Sequence, residues 1–338
     1  MPTILLTGAT GYIASHTWLA LQAAGFAVIG VDDFSNSSPR VLDRLAQLSG
    51  QTPRFERADV CDQPGMQALF AREAIDGVVH FAAAKAVGES VAKPLHYYAN
   101  NIGGLLSVCQ AMQAHGCKRF IFSSSATVYG DPKTLPILES AELSATNPYG
   151  QTKLIGETVL RDLGVADASW QTGCLRYFNP VGAHESGRIG EDPRGVPNNL
   201  MPYVAQVAVG RRAELAVYGN DYPTPDGTGG RDYIHVSDLA GGHVAALRRL
   251  FDAPGSFTVN LGTGRGHSVL EVVQAFAKAS GREIPYRVMP RRPGDVAACW
   301  ANASLARELL GWSATHELAR MCEDSWRWQQ MNPEGFIA

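Results

Sequence analysis

The sequence has few cysteines and no paired cysteine motif. Its six cysteines are scattered over 338 residues, and none forms a Cys-x-x-Cys pair. In a chain of this length the pattern is typical of free thiols in a reducing compartment, whereas a disulfide framework or a zinc site needs a regular set of cysteines. We therefore expect a cytoplasmic protein without a metal centre.

Long apolar runs and excess positive charge are also missing. The apolar runs are short, as at residues 78–84, and none approaches the roughly 20 residues of a membrane-spanning helix. The chain runs directly into a predicted strand at Thr3–Thr7, without a charged-then-apolar signal segment. The formal net charge is −3, so we expect neither nucleic acid nor an anionic membrane as a partner.

The composition that remains is that of a globular protein with a substantial core. Hydrophobic residues make up 45% of the chain and charged residues 18%. Predicted strands and helices alternate over the first half: strands at 4–7, 27–32, 54–58, 77–81 and 119–123, and helices at 12–24, 64–73, 95–115 and 149–163. This alternation predicts an α/β fold with a doubly wound parallel sheet of the Rossmann type.

The second half has a different texture. Residues 182–232 are rich in Gly, Pro, Asn and Asp, and residues 282–300 are rich in Pro and Arg. We expect loops of a smaller C-terminal α/β domain around the ligand-binding edge of the sheet. The predicted domains are residues 1–178, with the main sheet, and residues 179–338, the smaller domain. Part of the second range is expected to be able to return to the main sheet.

A glycine-rich turn follows the first predicted strand. Gly8 and Gly11 stand before a predicted helix, and Ala14 takes the third position of the motif. Glycines let the backbone approach a pyrophosphate, and a helix N-terminus favours its negative charge. Since the turn lies between a strand and a helix, it predicts a dinucleotide site.

Acidic residues end the second and third predicted strands. Asp32 lies 21 residues after Gly11, where a carboxylate accepts hydrogen bonds from the adenosine ribose and repels the extra phosphate of NADP. Asp33 has the same charge, so NAD is the expected cofactor. Asp59 is placed to reach the adenine edge, although a helix-capping role explains it nearly as well.

Tyr149 and Lys153 form a Tyr-x-x-x-Lys pair in a predicted helix. Positions i and i+4 share a face, so the ammonium is expected beside the phenol. A free tyrosine has a pKa of about 10, and a neighbouring cation lowers it toward the range of a general base. Asn147 suits the N-cap and Pro148 the first helical position. Alone, such a pair is also common on helix surfaces.

A run of serines follows the strand at 119–123. Ser123, Ser124 and Ser125 lie at its carboxyl end, where doubly wound folds bind ligands. Ser125 with Tyr149 and Lys153 would polarise a hydroxyl group. The alternative is a serine-rich turn without a chemical role.

Longer runs resemble a known family. They are HFAAAKAVGES, FSSSATVYGD, LRYFNPVGAH, GEDPRGVPNNLMPYVAQVAVGRR, YGNDYPTPDGTGGRDYIHVSDLA and NLGTGRGHSV. Together with Gly8-x-x-Gly11, Asn100, Ser125 and Tyr149-x-x-x-Lys153, they make the chain resemble the extended short-chain dehydrogenases/reductases, and among them the UDP-glucose 4-epimerases. The resemblance extends from about residue 3 to residue 330.

The resemblance implies a reaction at a secondary alcohol of a UDP-hexose, with NAD that stays bound. Tyr149, as phenolate, takes the proton of the sugar 4-hydroxyl while Ser125 hydrogen-bonds the same oxygen. Lys153 bonds the nicotinamide ribose and lowers the pKa of the tyrosine. A transient 4-keto sugar turns about its bond to the pyrophosphate before hydride and proton return. Transient oxidation is chemically sensible because the carbon has no acidic proton.

The resemblance also assigns binding residues. The implied NAD contacts are Gly8, Gly11, Tyr12, Ile13, Asp32, Asp33, Asn36, Ser37, Asp59, Val60, Phe81, Ala82, Ala83, Lys85, Asn100, Ser123, Tyr149, Lys153, Tyr177 and Phe178. The implied substrate contacts are Ser125, Tyr149, Asn179, Asn199, Leu200, Ala216, Val217, Tyr218, Arg231, Arg292, Asp295 and Cys299.

Three of the substrate positions need comment. Arginine suits phosphate oxygens, but Arg291 adjoins Arg292, and only the family pattern chooses Arg292. Tyr218 suits stacking near uracil and a core position about equally. Cys299 lies in a segment that by resemblance lines the sugar pocket, where some family members have Tyr. A small thiol leaves room at the sugar 2-position, so we predict activity on UDP-GlcNAc and UDP-GalNAc; otherwise Cys299 is a small buried residue.

Two other hypotheses stay open. Another NAD-dependent UDP-sugar enzyme of the same fold is one, but a dehydratase needs acid/base groups beside the serine, and residues 126–128 contain no Asp-Glu pair. A decarboxylase is a further alternative, and an epimerase of pentose or uronate sugars is harder to exclude. A non-catalytic NAD-binding protein would usually lack Tyr149 or Lys153. The resemblance further implies a homodimer through the helices at 95–115 and 149–163.

Overall fold

The computed structural model describes residues 1–292 and 295–337. The strands of the first half are β1 (Thr3–Thr7), β2 (Ala27–Asp32), β3 (Arg54–Arg57), β4 (Gly77–His80), β5 (Arg119–Ser125) and β6 (Gln171–Tyr177). The helices are α1 (Tyr12–Ala23), α2 (Arg40–Ser49), α3 (Gln63–Arg72), α4 (Val87–Ala92), α5 (Pro94–Tyr97), α6 (Gly103–Ala114) and α7 (Pro148–Ala166).

The second half contains shorter strands. They are β7 (Asn179–Val181), β8 (Leu215–Tyr218), β9 (Gly230–His235), β10 (Phe257–Leu261), β11 (Gly266–Ser268), β12 (Tyr286–Met289) and β13 (Ala298–Cys299). The helices are α8 (Leu200–Ala208), α9 (Val236–Asp252), α10 (Val269–Ser280), α11 (Ser304–Leu310) and α12 (Leu318–Met331).

A parallel sheet of seven strands organises the described residues. Its order is β3-β2-β1-β4-β5-β6-β10, and every pair of neighbours is parallel. The chain runs outward from β1 to β3 and then returns to β4, so the strand order reverses between β1 and β4. The crevice at the carboxyl ends beside such a reversal is where doubly wound folds bind ligands. The predicted fold class is confirmed.

The sheet is buried on both faces because its strands are short apolar runs covered by crossover helices. Along β1 the side chains alternate: Ile4 and Leu6 pack with Trp18 of α1, and Leu5 packs on the other face with Leu69 of α3. Each such side chain, when fully buried, contributes on the order of 1.5–3 kcal/mol. This packing fixes the strand ends that hold the site.

Two predicted elements were wrong in detail. No helix was predicted between the strands at 27–32 and 54–58, where the structure has α2, whose buried residues Val41 and Leu45 are four apart and share one face. The single helix expected at 95–115 is instead α5, a π-helical turn at Tyr98–Ile102 and α6. Since π turns often mark functional sites, the interruption at Asn100 is a feature of interest.

The predicted boundary at residue 178 stays a prediction. Strand β10 follows it but pairs with β6 in the main sheet, and α9 packs against α1. The remaining elements form smaller sheets, in which β9 pairs with β7, β11 and β13, and β8 pairs with β12. None of the helices in the described ranges is long and apolar enough to cross a membrane.

Candidate active site

The glycine turn after β1 is shaped for close approach. Gly8 has φ +64°, and a Cβ atom there would lie 2.8 Å from the backbone nitrogen of Ala82. Only glycine is therefore compatible with both the left-handed backbone and the neighbouring chain. Gly11 is the N-cap of α1 and provides no side-chain cap, so the first N–H groups of this 12-residue helix are available to an anion. The turn fits the pyrophosphate of a dinucleotide.

Asp32 organises the loop that follows β2. Its buried carboxylate accepts hydrogen bonds from the backbone N–H groups of Thr10 (3.1 Å) and Phe34 (2.8 Å) and from the hydroxyl of Ser37 (3.0 Å). The hydroxyls of Thr10 and Ser37 lie 2.7 Å apart. The carboxylate thus joins the glycine turn to the loop where adenosine is predicted to bind. Asp33 accepts from the backbone of Ser35.

The other predicted cofactor residues surround the same crevice. After β3, Val60 is buried and Asp59 is exposed. The Asp59 carboxylate accepts a hydrogen bond from the backbone N–H of Cys61 at 2.8 Å. Phe81, Ala82, Ala83 and Lys85 follow β4. Asn36 is exposed beside Ser37, whereas Tyr12 and Ile13 begin α1. The bond from Cys61 to Asp59 stabilises a turn before α3 and is not a helix cap, because the N-cap residue of α3 is Asp62. The helix-capping role considered for Asp59 is therefore wrong, and its contact with adenine stays a prediction.

Ser125, Tyr149 and Lys153 lie together at the carboxyl end of β5. Asn147 accepts the N–H of Gly150 at 2.9 Å and Pro148 begins α7, which confirms the predicted cap. Ser125 is buried, hydrogen-bonds Tyr149 and also accepts the N–H of Thr127 at 3.2 Å. The Lys153 Nζ atom is 5.8 Å from the centre of the Tyr149 ring.

The electrostatics of this pair differ from the expectation. Burial raises the pKa of Tyr149, and the hydrogen bond from Ser125 opposes that rise only in part. Burial lowers the pKa of Lys153 to about 7, since its ammonium lies under aromatic rings, 5.1 Å from the centre of Phe122. The prediction of a lowered pKa for Tyr149 is therefore wrong for the protein's own groups, because desolvation by burial is the largest cause of the shift.

A buried ion pair joins α7, the helix of Tyr149 and Lys153, to the neighbouring strand β6. Glu157, two turns after Tyr149 on α7, accepts two hydrogen bonds from Arg176 of β6, at 2.9 and 2.5 Å. The hydroxyl of Ser124, next to Ser125, donates to the same carboxylate at 2.5 Å. Both charged side chains are less than a tenth exposed. Sequence reasoning missed this network, because its members are 19 and 33 residues apart.

Asn101 is a second residue that the sequence did not single out. Its amide oxygen accepts the N–H of Ala84, and its amide nitrogen donates to the carbonyl of Ala84 and to the hydroxyl of Thr152 on α7. It also accepts a hydrogen bond from the predicted cofactor residue Asn100 at 3.0 Å. The π-helical turn thus joins the loop after β4 to the helix of Tyr149.

Ser123 and Tyr177 form a further contact at the strand ends. Both are buried, and their hydroxyls are hydrogen-bonded to each other. Burial raises the pKa of Tyr177, so the phenol stays neutral. The rings of Phe81 and Tyr177 both lie against His243 of α9, with centres at 4.7 and 5.7 Å. Phe178, the next predicted residue, is buried in an apolar cluster with Val128.

Strand β9 brings Arg231 and Cys299 side by side. Cys299 of β13 is the register partner of Arg231, and the guanidinium of Arg231 is 4.0 Å from Asp295. The buried carboxylate of Asp232 accepts the N–H groups of Thr263 (2.9 Å) and Ala301 (3.1 Å). This carboxylate fixes β9 and the residues after β13, and so fixes the pair. Burial raises the pKa of the Cys299 thiol to about 11, which keeps it neutral.

Arg291 and Arg292 have different environments. Arg291 pairs with Asp221, with Nε 2.7 Å from a carboxylate oxygen, and its guanidinium lies over the ring of Tyr222. Arg292 lies over the ring of Tyr218, with Cζ 3.8 Å from the ring centre. Since Arg291 already has a carboxylate partner, the structure supports Arg292 as the residue for a phosphate.

The remaining predicted substrate residues lie on nearby elements. Asn179 donates to the carbonyl of Asp232 at 3.1 Å, and Asn199 is the N-cap residue before Leu200. Ala216 and Val217 belong to β8, where the side chain of Val217 packs in the core. A contact from Val217 would therefore come from its main chain. In the described ranges, no group of His, Cys, Asp or Glu side chains could hold a metal ion.

The chain is similar to known proteins over nearly its whole length. The profile of the family described as GDP-mannose 4,6 dehydratase matches residues 5–325. A UDP-glucose 4-epimerase of Bacillus subtilis (strain 168) is 56% identical over 333 residues, which cover 98% of either chain. The crystal structure of UDP-glucose 4-epimerase from Bifidobacterium longum, in complex with NAD+ and UDP, is 55% identical with a TM-score of 0.95, over 98% of this chain and 99% of that one.

A third similar protein is UDP-glucose-4-epimerase from Stenotrophomonas maltophila, solved with bound NAD and formylated UDP-arabinopyranose. It is 50% identical, with a TM-score of 0.97 over 98% of this chain and 99% of that one. These three similar proteins are named epimerases, although the family model that matches is named after a dehydratase. The chain belongs to the UDP-glucose 4-epimerase family of extended short-chain dehydrogenases/reductases.

Proposed function

We propose that this protein interconverts UDP-glucose and UDP-galactose by inverting C4 of the sugar, with NAD held in the crevice between β1 and β4. The observation that carries the proposal is the meeting of Ser125, Tyr149 and Lys153 at the carboxyl end of β5, at the same edge of the parallel sheet as the glycine turn after β1. When bound, NAD would supply a hydride acceptor that can also return the hydride, and the glycine turn and the loop fixed by Asp32 would hold it. The isomerase class follows from the family, and the substrate pair is our proposal.

The protein's own residues move the proton. Tyr149 takes the proton of the 4-hydroxyl, and Ser125, which already hydrogen-bonds the phenol, donates to the same sugar oxygen. Lys153 is buried beside the phenol, where its positive charge favours phenolate at the moment that the proton leaves the sugar. When the sugar has turned its other face, Tyr149 gives the proton back. One residue thus serves both directions as base and acid.

The substrate is placed by cations on β9 and after β12. Arg231 and Arg292 suit the two phosphates of a UDP-sugar, and Tyr218 provides an aromatic face under Arg292. We propose that residues 179–338 supply most of the nucleotide-sugar site. The chain lacks an acid pair at 126–128, which supports epimerisation over the dehydration in the profile's name.

The decisive experiment is direct. The purified chain, supplied with NAD, is incubated with UDP-glucose, and the products are separated by chromatography. We expect UDP-galactose to accumulate to equilibrium, and also to revert when it is the starting compound. Recovery of only the starting sugar from both directions contradicts the proposal.

We also propose activity on UDP-GlcNAc and UDP-GalNAc. Cys299 adjoins Arg231 in register, and both Cys299 and Ala126, the neighbour of Ser125, pack against the apolar cluster that contains Phe178. A thiol occupies less space there than a phenol ring would. Cys299→Tyr should lose N-acetylated substrates selectively while UDP-galactose turnover continues, and Cys299→Ser should keep both activities. Absence of UDP-GalNAc turnover with ample enzyme contradicts the idea.

We further propose a homodimer and a cytoplasmic location. Leu95 and Val165 are both 83% exposed, and Val91 is 64% exposed; they lie on or beside the helices predicted to form a four-helix contact. Leu95→Asp should shift the sedimentation coefficient to that of a monomer. All six cysteines are free thiols, which supports a reducing compartment and is checked by cell fractionation.

A further inference from the structure

A short segment after β7 contacts both halves of the proposed site. Residues 190–194, here called the clasp, are anchored on the last helix. The Trp328 indole N–H donates to the carbonyl of Glu191 at 3.2 Å, and the carboxylate of Asp192 accepts the N–H of Phe336 at 2.9 Å. Trp328 and Phe336 are buried with ring centres 4.8 Å apart. The clasp is therefore held at Glu191 and Asp192 by a buried, well-packed part of the C-terminal region.

The middle of the clasp bridges two predicted ligand-binding residues. One oxygen of Glu191, Oε1, accepts Lys85 at 3.2 Å and Asn199 at 2.8 Å. Lys85 is predicted to contact NAD, and Asn199 is predicted to contact the UDP-sugar. The Glu191 side chain is only a tenth exposed. A single carboxylate thus positions one side chain for each ligand.

The tip of the clasp fastens the loop after β2. The guanidinium of Arg194 donates to the carbonyl oxygens of Ser35 (2.8 Å), Phe34 (3.1 Å) and Ser37. The same loop is held from inside by the carboxylate of Asp32. Three main-chain carbonyls, 157 to 160 residues away in sequence, therefore converge on one charged donor.

The loop needs such support because its backbone is strained. Phe34 has φ +62°, a left-handed conformation that is uncommon for an aromatic residue. Such a conformation persists when the surroundings over-determine it. The Asp32 carboxylate accepts the Phe34 N–H, and Arg194 donates to its carbonyl. Loss of Arg194 removes the outer support.

We propose that the clasp retains the cofactor, with Arg194 holding the adenosine loop closed and Glu191 coupling this hold to UDP-sugar binding through Lys85 and Asn199. The inference rests on the proposed function, because it takes NAD and a UDP-sugar as the ligands. Arg194 and Glu191 act as positioning residues: they touch residues that bind the ligands, and each ligand favours the clasp conformation that the other requires.

The first test is the rate of NAD release. Arg194→Ala, purified with NAD and diluted into an excess of an NAD-consuming enzyme, should release NAD about tenfold faster than the wild type, the effect of losing one charge-assisted hydrogen bond. Arg194→Lys, which keeps the charge and loses the planar fork, should lie between the two. Release from both variants at the wild-type rate overturns the proposal.

Arg188→Ala is the matched control. Arg188 belongs to the same stretch of chain and is exposed, and no hydrogen bond between described residues joins its side chain to residues 34–37. Its NAD release should equal that of the wild type. Thermal unfolding of all variants, measured in parallel, checks folding; if Arg194→Ala does not fold, Arg194→Lys provides the rate.

The second test measures the coupling. Saturating UDP should slow NAD release from the wild type, and Glu191→Ala should bring the ratio of rates without and with UDP close to one. A ratio near one in the wild type, or an unchanged ratio in the variant, overturns the coupling. Neither measurement requires turnover. If the wild type does not convert UDP-glucose but shows both effects on NAD release, the proposed function fails and this inference stands.

Discussion

The reacting groups and the ligand-holding groups of this protein are held in contrasting ways. Tyr149 lies on α7, and the buried Glu157 of the same helix accepts hydrogen bonds from Ser124 of β5, next to Ser125, and from Arg176 of β6. The cofactor loop at 34–37 is held from outside by Arg194, whose contacts are exposed. The difference teaches that the residues proposed for proton transfer are positioned by buried contacts, whereas the loop proposed to retain NAD is positioned by polar contacts that solvent can reach.

The largest effect should come from breaking the buried pair. Arg176→Met leaves the Glu157 carboxylate buried without its partner, which we expect to cost about 3–5 kcal/mol of unfolding free energy. It should also lower kcat, because α7 loses its charged contact with β6, and Ser124 of β5 is left as the remaining partner of the Glu157 carboxylate. Urea unfolding and steady-state kinetics measure both effects. Lys133→Gln, which breaks the exposed pair with Glu142, is the control and should leave both nearly unchanged; equal losses in the two variants would refute the contrast.

The next effect concerns the glycine turn. Gly8→Ala and Gly50→Ala both place a side chain at positive φ, which costs about 1–2 kcal/mol. A Cβ at Gly50 meets nothing within 4 Å, whereas at Gly8 it meets the backbone of Ala82 at 2.8 Å. We expect the strain of positive φ in both variants, an additional displacement of the Ala82 backbone in Gly8→Ala, and a selective loss of NAD affinity in Gly8→Ala, measured by calorimetric titration. Unchanged NAD affinity in Gly8→Ala would show that the turn does not hold the cofactor.

A further effect, spread over several pH units, should appear as pH dependence of stability. Burial lowers the pKa of Lys153 from 10.5 to about 7, so between these values the unfolded chain binds more protons than the native protein. Stability from this group therefore rises with pH over that window, by up to about 1.4 kcal/mol per pH unit. Relative to Lys153→Met, the wild type should gain unfolding free energy from pH 7 to pH 10. A constant difference would contradict the low pKa.

The smallest effect separates the two adjacent arginines. Arg292→Ala should raise KM for UDP-glucose about tenfold with little change in kcat, because a phosphate contact present in both ground and transition states is lost. Arg291→Ala removes a residue already paired with Asp221 and serves as the matched variant. Equal KM increases in both would show that the structural distinction has no functional meaning.

Local sequence patterns predicted the part of the site that depends on local spacing. The i, i+4 relation placed Tyr149 and Lys153 on one helix face, and Asn147 with Pro148 marked the start of that helix. Such patterns do not predict contacts between distant segments. Nothing in the sequence near Arg194, for example, indicates that its side chain reaches residues 34–37. The pKa of Tyr149 was also beyond them, because burial by the whole fold decides its direction.

The most direct test of the central claim is Tyr149→Phe. If the phenol is the group that takes and returns the proton of the 4-hydroxyl, this change should lower kcat for UDP-glucose conversion by about 10²–10⁴-fold, while calorimetry still shows UDP and NAD bound with affinities near those of the wild type. Turnover within a few-fold of the wild type, with both ligands bound, would contradict the account.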